Sequence, residues 1–252
     1  MNPLLYVEDL SVSFDGFKAL DLGSFEVEQG ELRVVIGPNG AGKSTLMDLI
    51  CGKTKSTTGR IVMDGKDLTT MTEKQIVDHG VGRKFQNPNV FGSLSVYDNL
   101  ALAHKARKGV FASLFNCYGT DAKNSIDGIL ERIGLQDAQT RIAEYLSHGQ
   151  KQWLEIGMVL AQKPRLLLID EPAAGMSDEE TERTGELLTS LKGDHTIIVI
   201  EHDMGFVRQI AKTVSVLVEG KLLTEGPMEE VQNDKRVIEC YLGSDFEEEG
   251  AA

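Results

Sequence analysis

A short apolar run from Leu32 to Ile36 leads directly into the stretch Gly37-Pro38-Asn39-Gly40-Ala41-Gly42-Lys43-Ser44-Thr45. A second apolar run with helical character, Leu46 to Ile50, follows it. A strand, then G-x-x-x-x-G-K-[ST], then a helix is the context of a P-loop, in which backbone N–H groups and the positive end of the helix dipole bind phosphate oxygens. Lys43 can reach the β- and γ-phosphates, and the Ser44 hydroxyl can ligate Mg²⁺. The stretch therefore predicts a nucleotide-binding site.

Length, charge and cysteine content restrict the class of protein. A chain of 252 residues suits one large α/β domain with a sizeable core. A formal charge of −13 argues against nucleic acid as a partner, because phosphate backbones attract basic surfaces. Cys51, Cys117 and Cys240 are scattered and form no C-x-x-C pair, so we expect neither a disulfide framework nor a zinc site. Such cysteines are typical of a protein in the reducing cytoplasm. The apolar runs Leu166–Ile169 and Ile197–Ile200 are far shorter than the roughly 20 residues that span a bilayer, so we expect no direct membrane insertion.

The middle of the chain, from Val90 to Arg141, differs in character from the rest. It has few β-branched runs and several helical periods, one of which begins at the pattern formed by Ser95 and Asp98. We expect an inserted helical subdomain here. One helical stripe of four aromatic or apolar residues, either core or a partner surface, comprises Phe111, Leu114, Phe115 and Tyr118.

The second half of the chain returns to an α/β pattern. The continuous apolar run Leu166–Asp170 predicts a buried parallel strand that ends on an acid, and Glu171 follows at once. In a protein with a P-loop, Asp170 at such a strand end would hold Mg²⁺, and Glu171 would polarise the attacking water. Ser177–Glu180 is a capping box that predicts a helix start, and Thr196–Ile200 predicts another buried strand.

The stretch Leu146-Ser147-His148-Gly149-Gln150 completes a set of motifs in a fixed order. Together with the P-loop, Gln86, Asp170-Glu171 and His202, it resembles the ATP-binding subunit of ABC transporters over essentially the whole chain. The resemblance implies an α/β fold in which a P-loop NTPase (RecA-like) core carries an antiparallel β subdomain and an inserted α-helical subdomain. It also implies an ATPase that binds ATP and Mg²⁺.

The resemblance further implies one ABC ATP-binding domain over residues 1–252. Residues 1–88 and 162–243 would form the nucleotide-binding α/β core. Residues 89–161 would form the helical subdomain with the signature motif, and 244–252 an acidic tail.

Individual roles carry over to the matching positions. Phe14 would stack on adenine, Gln86 would sense Mg²⁺ and couple the site to a membrane partner, and His202 would contact the γ-phosphate. Catalysis would then rest on Glu171 and His202. The resemblance places the metal on Ser44, Gln86 and Asp170. The nucleotide-binding residues that it implies are Phe14, Gly37, Pro38, Asn39, Gly40, Ala41, Gly42, Lys43, Ser44, Thr45, Gln86, Ser147, Gly149 and Gln150.

The family pattern also implies partners. Ser147 and Gly149 match signature residues that bind the γ-phosphate held by an opposite subunit, so two ATP-binding subunits would meet head to tail as a homodimer or heterodimer. Transmembrane permease subunits would be the other partner, which places the chain on the cytoplasmic face of the inner membrane. Two positions depart from the common pattern. His148 replaces a small residue and is expected to face outward, and Ser177 replaces an aspartate.

A narrower resemblance concerns the transported solute. Three segments look like the branched-chain amino acid and urea uptake branch, namely Ala174–Met176, Glu201–Met204 and Val237–Gly243. Three others are similar to the urea ATP-binding subunit, namely Gly82–Gln86, Gly109–Phe115 and His148–Trp153. We therefore expect an importer of urea or a related small amide. The alternatives are a branched-chain amino acid importer, a soluble ABC ATPase outside transport, and a P-loop kinase, which leaves the signature and His202 unexplained.

Overall fold

The computed structural model describes residues 3–84, 88–104 and 120–240. Its strands fall into two sheets. They are β1 (Leu5–Phe14), β2 (Phe17–Val27), β3 (Leu32–Ile36), β4 (Thr58–Met63), β5 (Lys66–Asp67), β6 (Val81–Lys84), β7 (Leu166–Asp170), β8 (Thr196–Ile200), β9 (Thr213–Val218) and β10 (Lys221–Gly226). The helices are α1 (Lys43–Ile50), α2 (Glu73–His79), α3 (Val96–Ala103), α4 (Thr120–Arg132), α5 (His148–Leu160), α6 (Asp178–Leu191), α7 (Met204–Ile210) and α8 (Met228–Val231), and residues 235–240 are also helical.

The larger sheet has the strand order β10-β9-β3-β8-β7-β6. Strands β9, β3, β8, β7 and β6 run parallel, and β10 pairs antiparallel with β9 at one edge. Every residue of β3, β7 and β8 is buried, as expected for strands covered on both faces. The smaller sheet is antiparallel, with the order β2-β1-β4-β5. The fold class predicted from the sequence, with its separate antiparallel sheet, is confirmed.

The two faces of the parallel sheet belong to different cores. On β3, Val34 and Ile36 pack into a core shared with the helices α3 to α7, whereas Val35 packs into a core shared with α1 and the antiparallel sheet. Because successive side chains of a strand alternate between faces, one apolar run supplies both layers. The helix that follows the P-loop is thereby held between the two sheets.

Helix α5, which begins at the signature stretch, is fixed on both sides. Gly157 makes room for its neighbours, since a Cβ there would lie 2.7 Å from Ile133 Cδ1 and 3.0 Å from Leu100 Cδ2. The Trp153 indole N–H donates to Thr184 Oγ1 at 2.9 Å, and the Arg183 guanidinium lies 4.4 Å from the indole centroid. These contacts set the position of α5 on α6.

Predicted helix starts are confirmed where local chemistry determines them. Ser95 is the N-cap of α3 and accepts a hydrogen bond from the Asp98 amide, and Ser177 forms a complete capping box with Glu180 at α6. The stripe Phe111–Tyr118 and the acidic tail 244–252 lie outside the described residues. Within the described part of the chain, every helix is too short or too polar to cross a membrane.

Candidate active site

The P-loop lies between β3 and α1, and two of its glycines are required by close packing. A Cβ on Gly37 would lie 2.1 Å from the Leu217 carbonyl oxygen. At Gly42, where φ is +93°, a Cβ would lie 2.8 Å from the Ala19 carbonyl oxygen. Both glycines therefore let the loop curl tightly against β2 and β9. Gly42 occupies the N-cap position of α1 and offers no capping side chain, so the first-turn amides of that helix are available to an anion.

Lys43 folds over the loop that it follows. Its ammonium donates to the Gly37 carbonyl at 2.7 Å and to the Pro38 carbonyl at 3.0 Å. Burial lowers the pKa of Lys43, and the nearby carboxylates of Glu171 and Asp170 offset part of that effect. The loop thus presents a flexible cation beside two acids, in the arrangement expected of a triphosphate site.

Asp170 is the last residue of strand β7, and Glu171 follows it directly. Both acids therefore lie at the carboxyl ends of the parallel strands. Asp170 is only 8% exposed, and its Oδ2 lies 3.4 Å from Arg83 Nη2. Burial raises the pKa of the Asp170 carboxyl, and Arg83 counteracts the rise. Arg83 also donates to Asp48 on α1 at 2.5 Å, so one guanidinium joins the P-loop helix to the strand that carries the acid.

The residues at this edge fit Mg²⁺ only in company with a nucleotide. Among the described residues no group of three or more His, Cys, Asp or Glu side chains could hold a metal by itself. Magnesium, however, commonly binds through one or two protein oxygens, with phosphates and water completing its octahedron. The buried carboxylate of Asp170 and the exposed hydroxyl of Ser44 are oxygen donors of that kind. Gln86, the third predicted ligand, lies outside the described residues.

Glu171 and His202 come together at the carboxyl ends of neighbouring strands. Their Oε1 and Nδ1 atoms are 3.6 Å apart, and the His202 side chain is 64% exposed. Glu171 adopts a left-handed conformation with φ of +44°, and its amide donates to the Ile200 carbonyl at 3.0 Å. A non-glycine residue rarely adopts this conformation, and such strain is concentrated at functional sites. The pair can polarise a water molecule between the strand ends.

Glu201 is a residue of this edge that the sequence did not single out. It is 1% exposed, and its two carboxylate oxygens accept backbone hydrogen bonds from Ala173 on one side and from His202 and Asp203 on the other. The only signal in the sequence is an acid directly before His202 at the end of a buried strand. That signal does not reveal which amides the acid would meet.

The signature residues make contacts to a different part of the chain. Ser147 is the N-cap of α5 and forms a capping box with Gln150. Its hydroxyl also lies 2.9 Å from Glu180 Oε1, and a Cβ on Gly149 would lie 2.6 Å from the same oxygen. The glycine of the signature therefore makes room for the carboxylate of Glu180. Within the chain, the start of α5 faces the start of α6.

His148 is exposed, but it does not simply face outward as expected. Its Nε2 lies 3.1 Å from the carbonyl oxygen of Ala174, in the loop that follows Glu171. The same ring nitrogen lies 3.3 Å from Gln152 Nε2, one turn along α5. His148, the residue that departs from the common signature, thereby contacts the loop that follows Glu171. The sequence pattern does not specify this long-range contact.

Phe14 and Phe17 face each other across the hairpin turn between β1 and β2. A cavity of about 520 Å³ beside the P-loop residues 38–41 is lined by Phe17, which is 71% exposed, and by Lys18. Phe14 is 48% exposed and is not part of that lining. The sequence drew attention to Phe14, whereas the aromatic ring at the cavity is that of Phe17.

A second cavity, of about 530 Å³, lies at the amino ends of the central parallel strands, with Gly30, Pro164 and Thr196 in its lining. In open α/β sheets ligands bind outside the carboxyl ends of the strands. The P-loop, Asp170 and Glu171 all lie at that end, so the cavity beside the loop is the candidate nucleotide site.

Known proteins with the same arrangement give the family. Residues 20–174 match the model described as "ABC transporter", and residues 221–247 match "Branched-chain amino acid ATP-binding cassette transporter". The chain belongs to the ABC transporter family. It is an ATP-binding subunit of the branched-chain amino acid import branch, and it is an ATPase.

Relatives match this ABC ATPase along its whole length. It is 36% identical to the high-affinity branched-chain amino acid transport ATP-binding protein LivG of Salmonella typhimurium, over 96% of this chain and 98% of the relative. It is 33% identical to BraF of Pseudomonas aeruginosa, another such protein, over 96% and 98% of the two chains. The crystal structure of the ADP conformation of MJ1267, an ATP-binding cassette, superimposes with a TM-score of 0.85 at 31% identity, covering 96% of this chain and 100% of that one.

Proposed function

We propose that this ATPase energises an ABC importer, and that its catalytic site lies at the carboxyl ends of β3, β7 and β8. The observation that carries the proposal is the 3.6 Å approach of Glu171 to His202 beside the P-loop. In this proposal the P-loop residues 37–45 bind the phosphates, and the aromatic residue Phe14 or Phe17 takes the adenine. Lys43 neutralises the outer phosphates.

Catalysis then follows from the residues at the strand ends. Glu171 accepts a proton from the water whose oxygen attacks the γ-phosphorus, while the bond to the bridging oxygen of ADP breaks. His202 holds the γ-phosphate in position, and Ser44, Gln86 and Asp170 hold Mg²⁺. When bound, the ion neutralises charge that develops on the phosphate oxygens. Exclusion of bulk water would strengthen each of these interactions.

A second ATP-binding subunit is the next element of the proposal. Ser147, Gly149 and Gln150 lie at the start of α5, where Glu180 of the same chain approaches them. An opposite subunit would bring its own nucleotide to these residues, as the family resemblance implies. ATP then stabilises the closed dimer, because it contacts both subunits only in that state, and hydrolysis removes these contacts. The closing motion of the dimer would be transmitted to permease subunits in the inner membrane. This chain would lie on the cytoplasmic face of that membrane as a peripheral subunit.

Urea or a related small amide is the solute that we propose. The segments Gly82–Gln86, Gly109–Phe115 and His148–Trp153, which resemble the urea ATP-binding subunit, support it. Branched-chain amino acids are the second candidate, which the names of LivG and BraF support. In either case the solute passes through other chains.

A transport experiment separates the two candidates. Uptake of labelled urea and of labelled leucine is measured in cells of the natural host, with and without the gene, and after complementation. We expect deletion to abolish high-affinity urea uptake and to leave leucine uptake unchanged. Loss of leucine uptake alone would replace urea by branched-chain amino acids. The variant Lys43→Ala should fail to restore the uptake that deletion abolishes, because it lacks the phosphate-binding cation.

A further inference from the structure

The two catalytic loops of the site share one buried carboxylate. Glu201 follows β8, which lies between β3 and β7 in the parallel sheet. Its amide donates to the Val35 carbonyl of β3 at 3.3 Å, and the amide of Glu171 donates to Ile200 at 3.0 Å. The backbone around Glu201 is therefore held between β3, which leads into the P-loop, and Glu171, which directly follows β7.

The side chain of Glu201 divides its hydrogen bonds between two loops. Oε1 accepts from the Ala173 amide at 3.2 Å, two residues after Glu171. Oε2 accepts from the His202 amide at 3.0 Å and from the Asp203 amide at 3.4 Å. One rigid carboxylate thus connects the backbone that carries Glu171 with the backbone that carries His202.

We propose that Glu201 is a positioning residue for ATP hydrolysis, which fixes the separation of Glu171 and His202 by holding both loops. The inference rests on the proposed role of Glu171. Three backbone N–H groups donate hydrogen bonds to the Glu201 carboxylate, and this residue is only 1% exposed. Hydrogen bonds from amides to a carboxylate are charge-assisted and therefore stronger than those between neutral groups. A buried acid needs such compensation to remain charged.

A buried cation on β6, Lys84, lies near the carboxyl ends of the same strands. Burial lowers the pKa of Lys84, and the carboxylates of Glu155, Asp170, Glu201 and Glu171 offset part of that effect. Its ammonium donates to the Asp170 carbonyl at 3.3 Å. Burial raises the pKa of the Glu201 carboxyl, and the backbone hydrogen bonds from His202, Ala173 and Asp203 counteract that rise.

Replacing the Glu201 carboxylate by an amide removes its hydrogen bonds to one of the two loops that carry Glu171 and His202. In Glu201→Gln, one oxygen can still accept a hydrogen bond, but the NH₂ group faces an N–H donor and repels it. Glu171 and His202 then lose their fixed separation while the P-loop is untouched. A displacement of about 1 Å at a catalytic group costs about 10²-fold in rate.

The experiment compares steady-state ATP hydrolysis and equilibrium binding of a fluorescent ATP analogue in four full-length proteins. They are the wild type, Glu201→Gln, Glu171→Gln and the control Glu31→Gln. Glu31 is a partly buried acid that also accepts a backbone amide, at 2.8 Å, but it lies at the amino edge of the sheet. We expect Glu201→Gln to lower kcat by about 10²-fold with unchanged analogue affinity and unchanged KM, and Glu31→Gln to leave all three unchanged.

Each alternative result has a definite meaning. Wild-type kcat in Glu201→Gln, with an inactive Glu171→Gln, overturns the inference alone. An active Glu171→Gln overturns the proposed role of Glu171 instead. Parallel loss of kcat and analogue affinity in Glu201→Gln would show a general structural defect and would also overturn the inference. If Glu201→Gln does not fold, Glu201→Asp is measured in the same way; its shorter side chain cannot reach both loops, so wild-type kcat there overturns the inference.

Discussion

The buried lysine Lys84 predicts how the stability of the fold depends on pH. Its ammonium is fully buried on β6, and burial lowers the pKa of Lys84 from 10.5 to about 8. Glu155 and Asp170 offset part of this effect. Between about pH 8 and 10.5 the unfolded chain therefore holds a proton that the folded chain has released. Raising the pH through this window favours the folded state. Below it both states carry the proton, and the folded state bears the full cost of the buried charge.

The size of the effect follows from the two pKa values. A fall from 10.5 to about 8 corresponds to about 3 kcal/mol over the full window. Between about pH 7.5 and 9.5 the wild type should gain about 2 kcal/mol of unfolding free energy from Lys84. The variant Lys84→Met has no proton to release and should lack this gain. For a chain of this size the corresponding difference in Tm is about 4 to 8 °C.

The assay is urea unfolding of the wild type and of Lys84→Met at several pH values in that range. The difference in unfolding free energy between them should grow with pH in favour of the wild type. As a control, Lys74→Met removes a solvent-exposed lysine of α2, and its curve should run parallel to that of the wild type. Parallel curves for Lys84→Met as well would refute the inference that Lys84 is a desolvated ammonium.

Three further outcomes test local features of the structure. Phe17→Ala should weaken ATP-analogue binding about tenfold, because base stacking on an aromatic ring contributes about 1–3 kcal/mol. Phe14→Ala should weaken it less. The reverse order of affinities in a fluorescence titration would indicate Phe14 as the residue that stacks on adenine. Ser177→Ala should cost about 1 kcal/mol in thermal or urea unfolding through loss of its N-cap, and an unchanged stability would contradict that role. Gly149→Ala should displace the Glu180 carboxylate and lower ATPase activity at least tenfold with analogue binding intact, so wild-type turnover would contradict the close packing.

Features determined by local chemistry were predictable from the sequence. The P-loop motif specifies four of eight adjacent positions, from Gly37 to Ser44, and the helix start at Ser177 depends on a side chain three residues away. The buried strand ending at Asp170 was predictable from a short uninterrupted apolar run, a pattern typical of a strand covered on both faces. The family resemblance then joined these local features into one fold.

Contacts between distant parts of the chain were not predictable in this way. The approach of His148 to Ala174 and of Ser147 to Glu180 depends on how α5 packs on α6, which no short pattern encodes. Likewise, the order of residues in a hairpin does not state whether Phe14 or Phe17 faces the P-loop cavity. Glu201 was missed because its partners are backbone amides, which carry no signature in a sequence.

The role of Glu171 is the central claim, and Glu171→Gln tests it most directly. The amide keeps the shape of the side chain but cannot accept a proton from water, and a general base contributes about 10²–10⁴-fold to a rate. The measurement is ATP turnover by the purified variant, alongside analogue binding and size-exclusion chromatography with MgATP. We predict intact binding, turnover at least about 10²-fold below wild type, and an ATP-dependent dimer. Turnover at the wild-type rate would contradict the assignment of Glu171 as the base.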